Sequence, residues 1–449
     1  MATATPTKLN RTLSVRQLVF FGLAYLAPIT VFTTYGLVST MSDNRLPLAY
    51  IIATIAMLFT ALSYGKMARA IPVAGSAYAY VQQTFGGSAG FLAGWTLMLD
   101  YLFLPMVNFM VIGIYANLLF PAVPVQVLIV IAIAITLTLN LVGITMAARA
   151  NVIIVLISLG IVVAFVVGGA LNLASEPSTS SAFDPFNPAG DLAGVYSGAA
   201  VLALSFLGFD AVSTMSEESN KPRRDIPRAI LLTALIGGAI FIVVSWIGAL
   251  VWTDVAAFAS IDTAGTEIFT KIGGETLAYV FTCVYIVGAF GSGIASQISI
   301  SRLLYAMGRD RVLPSVFGKL SKARTPYIAS IAVSVVALAG LFLSLADVFN
   351  MVSFGALFAF SIVNLAVIKH YLFPKGGKRS AEANVFSHGV LPLLGFALTI
   401  WLWTSLAPGA FMLGLYWMAA GVVFLAVLTK FFTKPAPVMD FSEKDLPAE

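Results

Sequence analysis

Apolar residues occur in twelve long runs along the chain, and short polar segments separate one run from the next. Each run holds about 20 residues or more, the length that an α-helix needs to cross the ~30 Å hydrocarbon core of a bilayer. The hydropathy pattern therefore predicts twelve transmembrane helices. Their expected bounds are 17–40, 47–69, 88–119, 124–146, 150–173, 194–217, 228–253, 275–306, 325–346, 348–372, 388–408 and 410–432.

The composition is that of a chain that lies almost wholly in a membrane. It is 59% hydrophobic and 10% charged, whereas a soluble domain carries about 25% charged residues. No polar stretch is long enough for a separate water-soluble domain. We therefore expect an all-α polytopic membrane protein with one twelve-helix domain at residues 17–433, between tails at residues 1–16 and 434–449.

Positive charges are distributed unevenly between the two predicted membrane faces. If the N-terminus is placed in the cytoplasm, every Lys and Arg except Arg45 and Lys271 falls on the cytoplasmic side. Since positive residues concentrate in cytoplasmic loops, this distribution predicts cytoplasmic N- and C-termini and an even number of spans. The basic residues thus set orientation in a lipid bilayer, and we expect no nucleic-acid partner.

Residues that usually carry enzyme chemistry are scarce. Cys283 is the single cysteine, and His370 and His388 are the only histidines. A metal site built from Cys or His therefore has too few ligands. The chain also lacks the Gly-x-x-x-x-Gly-Lys-[Ser/Thr] loop that binds nucleotide phosphates. We expect no enzyme activity, no metal and no cofactor.

Two carboxylates, Asp100 and Asp210, lie inside predicted spans. An ionised side chain in the bilayer is costly unless a partner or a water-filled cavity compensates it, so such residues usually mark a substrate or ion path. Asp210 follows Gly208 in the sixth span, and Pro28 interrupts the first span. Either feature alone is ordinary in a membrane helix, but interrupted segments at corresponding positions of two five-helix halves favour broken helices at a transporter site.

Five sequence blocks, in order, resemble the amino acid–polyamine–organocation transporter superfamily. These blocks are Pro72–Tyr80, Phe206–Ala211, Glu217–Ile230, Arg302–Asp310 and Ser353–Leu357. The resemblance covers nearly the whole chain. It implies an inverted repeat of helices 1–5 and 6–10, with helices 1 and 6 broken and helices 11 and 12 outside the repeat.

Within this superfamily the chain is most similar to bacterial putrescine importers. The stretches that carry the finer resemblance are Gly22–Phe32, Ser63–Lys66, Leu99–Asn108 and Ser205–Thr214. They imply a secondary transporter in the bacterial inner membrane that imports putrescine or a related small polyamine by alternating access. Because features of helices three and six also resemble cationic amino acid carriers, a cationic or neutral amino acid permease is the alternative. An amine channel or sensor is a further alternative on fold alone.

The break in the first helix differs from that of typical amino acid carriers in the superfamily. Those carriers have Gly-x-Gly there, and its N–H groups hold the substrate carboxylate at a half-helix end. Here Ala27, Pro28, Ile29 and Thr30 replace it, and proline has no N–H. This replacement weakens a carboxylate-binding nest and suits a diamine, which has no carboxylate.

A diamine carries two ammonium groups, which carboxylates, backbone carbonyls and aromatic faces can hold. We expect Asp210 to bind one ammonium and Asp100 the other, directly or through water, with Tyr101 lining the cavity. Structural bridging between helices is the alternative role for Asp210, and helix packing is the alternative for the phenylalanines. The full expected substrate site is Tyr25, Ala27, Pro28, Thr30, Asp100, Tyr101, Ser205, Phe206, Gly208, Phe209 and Asp210.

The sequence leaves the coupling ion open. Proton-coupled carriers of the superfamily often have a lysine in helix five, and Asn151–Asn172 contains none. Ser292 and Ser296, one turn apart in helix eight, fit a sodium site or an ordinary helix contact equally well. A dication gains roughly 4.6 kcal/mol per 100 mV of membrane potential. We expect a proton gradient or this potential to drive uptake, with Asp100 or Asp210 carrying any co-transported proton.

Overall fold

The structure, a computed structural model, describes residues 13–73, 76–142, 148–309, 313–321, 325–374, 383–431 and 433–435. Most of the two predicted tails, residues 1–12 and 436–449, lies outside the described residues. So do residues 74–75 and 310, which belong to the sequence blocks that carry the family resemblance.

The described residues form helices and no β-strand. Fourteen α-helices follow one another: α1 Val15–Leu26, α2 Val31–Met41, α3 Leu46–Ala70, α4 Ser76–Phe85, α5 Gly87–Leu119, α6 Val125–Val142, α7 Ala148–Ser175, α8 Ala193–Val201, α9 Pro222–Val251, α10 Ala264–Arg309, α11 Tyr327–Ala337, α12 Leu345–Leu372, α13 Leu391–Thr404 and α14 Pro408–Leu428.

Eleven segments of the described chain are long and apolar enough to cross a membrane. They include α1 with α2 as one span, and α8 with the short helical turns that follow it as another. The predicted ninth span is shorter, Tyr327–Leu341, consisting of α11 and a 3-10 turn of four residues. The polytopic helical fold is thereby confirmed, while the count of twelve spans stays a prediction.

The first span breaks where the sequence predicted. Helix α1 ends at Leu26, Ala27 adopts a left-handed conformation with φ of 46°, and Pro28–Thr30 form one 3-10 turn before α2 begins. Proline causes this interruption because its ring blocks a helical hydrogen bond and clashes with the preceding turn.

The sixth span breaks opposite the first. Helix α8 ends at Val201, and Gly208 has a φ of 127°, a conformation that side chains rarely adopt. After the break the chain continues as a 3-10 helix, Ala211–Glu217, rather than as an α-helix. A methyl group added at Gly208 would lie 2.7 Å from the amide nitrogen of Leu26. The backbones of the two breaks therefore touch, and only a glycine fits at this point.

Tight helix packing holds both breaks in place. Helix α3 packs along α9, while α5 lies against both α10 and α12. Helix α14 is fixed to α5 by reciprocal hydrogen bonds: the Trp95 indole donates to the Trp417 carbonyl at 2.8 Å, and the Trp417 indole donates to the Trp95 carbonyl at 2.9 Å. The core helices thus form one packed frame around the broken segments.

Candidate functional site

A cavity of about 180 Å³ lies beside the first-span break. A single water needs roughly 10–15 Å³, so the space accommodates a small organic molecule. The cavity is lined by the two breaks, the middle of α5, the first half of α7 and the middle of α10. None of the described residues that line it carries a charged side chain; its polar groups are hydroxyls, backbone groups and the amide of Asn108.

Five of the predicted site residues line this cavity: Tyr25, Ala27, Pro28, Thr30 and Ser205. Tyr25 stands in the last turn of α1 and remains 41% exposed, because the cavity opens beside its ring. The Ser205 hydroxyl lies 3.3 Å from the Tyr50 hydroxyl, within a buried polar contact between the sixth span and α3.

Neither of the two carboxylates, Asp100 and Asp210, lines the cavity. Asp100 and Asp210 are close enough to interact electrostatically with each other, and both also interact electrostatically with Tyr25. Asp100 is 6% exposed, and its Oδ1 atom has no hydrogen-bond partner among the described residues. No Lys or Arg of the described chain forms an ion pair with either carboxylate. The pair therefore has no cationic partner among the described residues.

Tyr101 lies near the same pair. Its half-buried side chain interacts electrostatically with Tyr25, Asp210 and Asp100. Tyr64 of α3 also interacts with Asp210 and Tyr101. Three tyrosines, Tyr25, Tyr64 and Tyr101, are therefore near enough to the carboxylates to interact with them electrostatically. The sequence pattern does not single out Tyr64 for this position.

Phe206 and Phe209 are fully buried among neighbouring helices and do not line the cavity. The Phe206 ring meets Phe241 of α9 edge-on at 5.5 Å, and the Phe209 ring lies 5.6 Å from Tyr64 and 5.2 Å from Phe360. Their position fits the packing alternative stated above.

Several backbone amides at the two breaks are already engaged, those of Ala27, Thr30 and Gly208 among them. In the first break the Ala27 amide donates to the Leu23 carbonyl at 3.0 Å and the Thr30 amide donates to the Ala27 carbonyl at 2.8 Å. In the sixth-span break the Gly208 amide donates to Asp210 Oδ1 at 3.2 Å. The amides on either side of Gly208, at positions 207 and 209, donate to backbone carbonyls. The protein's own carboxylate thus occupies the anion-binding position of the second break.

Several cavity residues lie outside the predicted site. Asn108 lines the cavity, and its side-chain N–H donates to the Leu104 carbonyl at 2.8 Å. Tyr285 of α10 closes one end and is hydrogen-bonded to Thr33. Tyr285 lies in a long apolar run of the sequence, so nothing in the sequence distinguishes it from a packing residue. Among the described residues no group of His, Cys, Asp or Glu side chains could hold a metal ion.

A helical membrane protein with two opposed helix breaks beside intramembrane carboxylates has the architecture of a secondary transporter. The chain belongs to the amino acid permease family, whose model matches residues 17–437. This result confirms the superfamily that its motifs indicate, and it makes the protein a membrane transporter rather than an enzyme.

Individual relatives differ in what their names say they carry. The chain is 37% identical to the low-affinity putrescine importer PlaP of Escherichia coli K12 over 96% of each chain. It is 27% identical to the branched-chain amino acid permease BcaP of Lactococcus lactis subsp. cremoris, over 92% of this chain and 93% of the relative. It is 29% identical to cationic amino acid transporter 6 of Arabidopsis thaliana, over 94% of this chain and 76% of the relative.

Proposed function

We propose that this protein imports putrescine or a related small amine across the bacterial inner membrane by alternating access, with both termini in the cytoplasm. The observation that carries the proposal is the state of the amides at the two helix breaks. An amino acid substrate needs free N–H groups for its carboxylate. Pro28 has none, the Ala27 and Thr30 amides bond to backbone carbonyls, and the Gly208 amide bonds to Asp210.

The charge of the site supports the same substrate. Asp100 and Asp210 form a negative centre with no cationic partner among the described residues. Burying an uncompensated charge is costly, and a bound ammonium group removes that cost. A small amine without a carboxylate therefore complements the site, whereas an amino acid brings an anion for which the breaks have little room.

The competing function is a cationic or neutral amino acid permease. The similarity to two relatives favours it: the one from Lactococcus is named as a branched-chain amino acid permease, and the one from Arabidopsis as a cationic amino acid transporter. Uptake of labelled putrescine into proteoliposomes, in competition with cadaverine, lysine, arginine and leucine, separates the two functions. Competition by diamines well above that by amino acids supports the amine importer, and the reverse order supports the permease.

The Asp210→Asn variant tests the site itself. It keeps the shape of the side chain and removes the charge, so we expect amine affinity to fall at least about 100-fold, since each ~1.4 kcal/mol is a factor of ten. Asp191→Asn is the matched control, because Asp191 is exposed and its carboxylate accepts a hydrogen bond from the Ala193 amide at the start of α8, away from the cavity. Unchanged affinity in Asp210→Asn would exclude that residue as a ligand.

We further propose that a proton gradient or the membrane potential drives uptake. A dication gains roughly 4.6 kcal/mol per 100 mV, so an imposed potassium diffusion potential, negative inside, should accelerate uptake without any pH difference. Uptake that responds to a pH gradient at zero potential would instead identify a co-transported proton, for which Asp100 or Asp210 is the carrier.

A further inference from the structure

We infer that the cavity holds the far end of the substrate with neutral oxygen atoms alone. The transported class then includes small amines that have one ammonium group and a hydroxyl or amide at the other end, as well as diamines. This inference rests on the proposed function, since it takes the substrate to be an amine bound at the carboxylate pair.

Both carboxylates belong to the same end of the site. Asp100 and Asp210 interact with each other and with the same residue, Tyr25. Neither carboxylate lines the cavity, whereas Tyr25 does. Tyr25 therefore stands at the boundary between a charged compartment and an uncharged one. One ammonium group, together with one proton held by the carboxylate pair, can balance the two negative charges while the rest of the molecule extends past Tyr25.

The part of the substrate that extends past Tyr25 meets uncharged polar groups. The hydroxyls of Ser158 in α7 and Ser292 in α10 line the cavity and form no hydrogen bond with a described residue. Asn108 uses its amide nitrogen on the Leu104 carbonyl, which leaves its Oδ1 atom as an acceptor. Helix α1 ends at Leu26, which lines the same space. These oxygens accept a hydrogen bond from an alcohol or an amide as well as from an ammonium.

The far ammonium of the substrate is held either by its own carboxylate or by neutral oxygens. These two arrangements predict very different losses of affinity when that ammonium is removed from the substrate. If each ammonium had its own carboxylate, a molecule with only one would leave a buried carboxylate unpaired, and affinity would fall more than 100-fold. With neutral oxygens at the far end, replacing that ammonium by a hydroxyl exchanges one hydrogen-bond donor for another. We expect the affinity to change less than tenfold.

The test is competition against labelled putrescine uptake in proteoliposomes that contain the full-length protein. The competitors are unlabelled putrescine, 4-aminobutan-1-ol and butane-1,4-diol, which have the same chain length and two, one and no ammonium groups. We expect 4-aminobutan-1-ol to compete within tenfold of putrescine and the diol not to compete. Putrescine competing normally while 4-aminobutan-1-ol is more than 100-fold weaker overturns the inference and leaves the proposed function standing. Absence of putrescine uptake by these proteoliposomes, relative to protein-free liposomes, overturns the proposed function.

A variant provides an independent measurement. Ser292→Asp places a carboxylate in the uncharged cavity, so it should raise the preference for putrescine over 4-aminobutan-1-ol at least tenfold. Ser292→Asn is the matched control, because asparagine has the shape of the introduced aspartate but no charge. Its preference for putrescine over 4-aminobutan-1-ol should stay close to that of the wild type. An unchanged preference in a folded Ser292→Asp protein contradicts the inference. If that variant does not fold, the wild-type competition series decides alone.

Discussion

Replacing Gly208 by alanine is the most direct test of the contact between the two helix breaks. The added methyl group would lie 2.7 Å from the Leu26 amide nitrogen and 3.1 Å from the carbonyl carbon of Tyr25. Both atoms belong to the backbone, so no side-chain rotation relieves the contact. The φ of 127° at Gly208 is also one that alanine adopts only under strain.

Both effects contribute to the expected loss of stability. A strained backbone conformation costs about 1–3 kcal/mol, and overpacking a tight contact costs a further ~1–3 kcal/mol. The free energy of unfolding should therefore fall by about 2–6 kcal/mol. Because the Gly208 amide also orients the Asp210 carboxylate, at 3.2 Å, the variant should lose amine uptake even where it still folds.

The measurement is thermal unfolding of the purified variant in detergent, together with putrescine uptake in proteoliposomes. Gly160→Ala in α7 is the control, because an added methyl group there meets no atom within 4 Å. That change should leave stability unaltered or raise it by up to about 1 kcal/mol through helix propensity. If Gly208→Ala unfolds and transports like the wild type, the two breaks do not touch as described.

Four further substitutions, at three positions, test the charged centre and the frame around it. Asp100→Asn should lower uptake and flatten its dependence on pH or membrane potential, as measured across imposed gradients, because the variant removes half of the negative centre. Tyr101→Phe should weaken affinity modestly and Tyr101→Ala severely in uptake assays; normal transport by Tyr101→Ala beside an inactive Asp100→Asn would exchange the roles of the two residues. Gln297→Leu should lower the free energy of unfolding by about 1–3 kcal/mol, since the buried Gln297 accepts from Asn140 at 3.0 Å and donates to Ser334 at 2.6 Å; an unaltered melting temperature would contradict this.

The helix breaks were predictable because their causes are local. Pro28 interrupts a helix wherever it occurs in the interior, and a glycine beside an acid in an apolar run suggests a second break. The tight approach of Gly208 to Leu26 was not predictable in the same way. It joins residues far apart in the chain, and a single sequence contains no signal for which backbone lies against a given glycine.

The division of the site into a charged and an uncharged compartment could not be predicted from the sequence either. Helix α5 is apolar on all sides, so its periodicity does not fix the direction in which Asp100 points. The phenylalanines illustrate the same limit. Phe206 and Phe209 flank the break, but whether their rings face a ligand or Phe241 and Phe360 depends on the packing of other helices.

The short ninth span has a consequence for the lipid around the protein. At ~1.5 Å per residue for the eleven residues of α11 and ~2 Å for each of the four residues in the 3-10 turn, Tyr327–Leu341 reaches about 25 Å. The hydrocarbon core is ~30 Å thick. Phe342 follows directly and is 89% exposed, which places a bare aromatic ring where headgroups and acyl chains meet. Hydrophobic mismatch of this size costs a fraction of a kcal/mol per Å. We therefore expect the bilayer to be thinner beside this span, and lipids with shorter acyl chains to be enriched there.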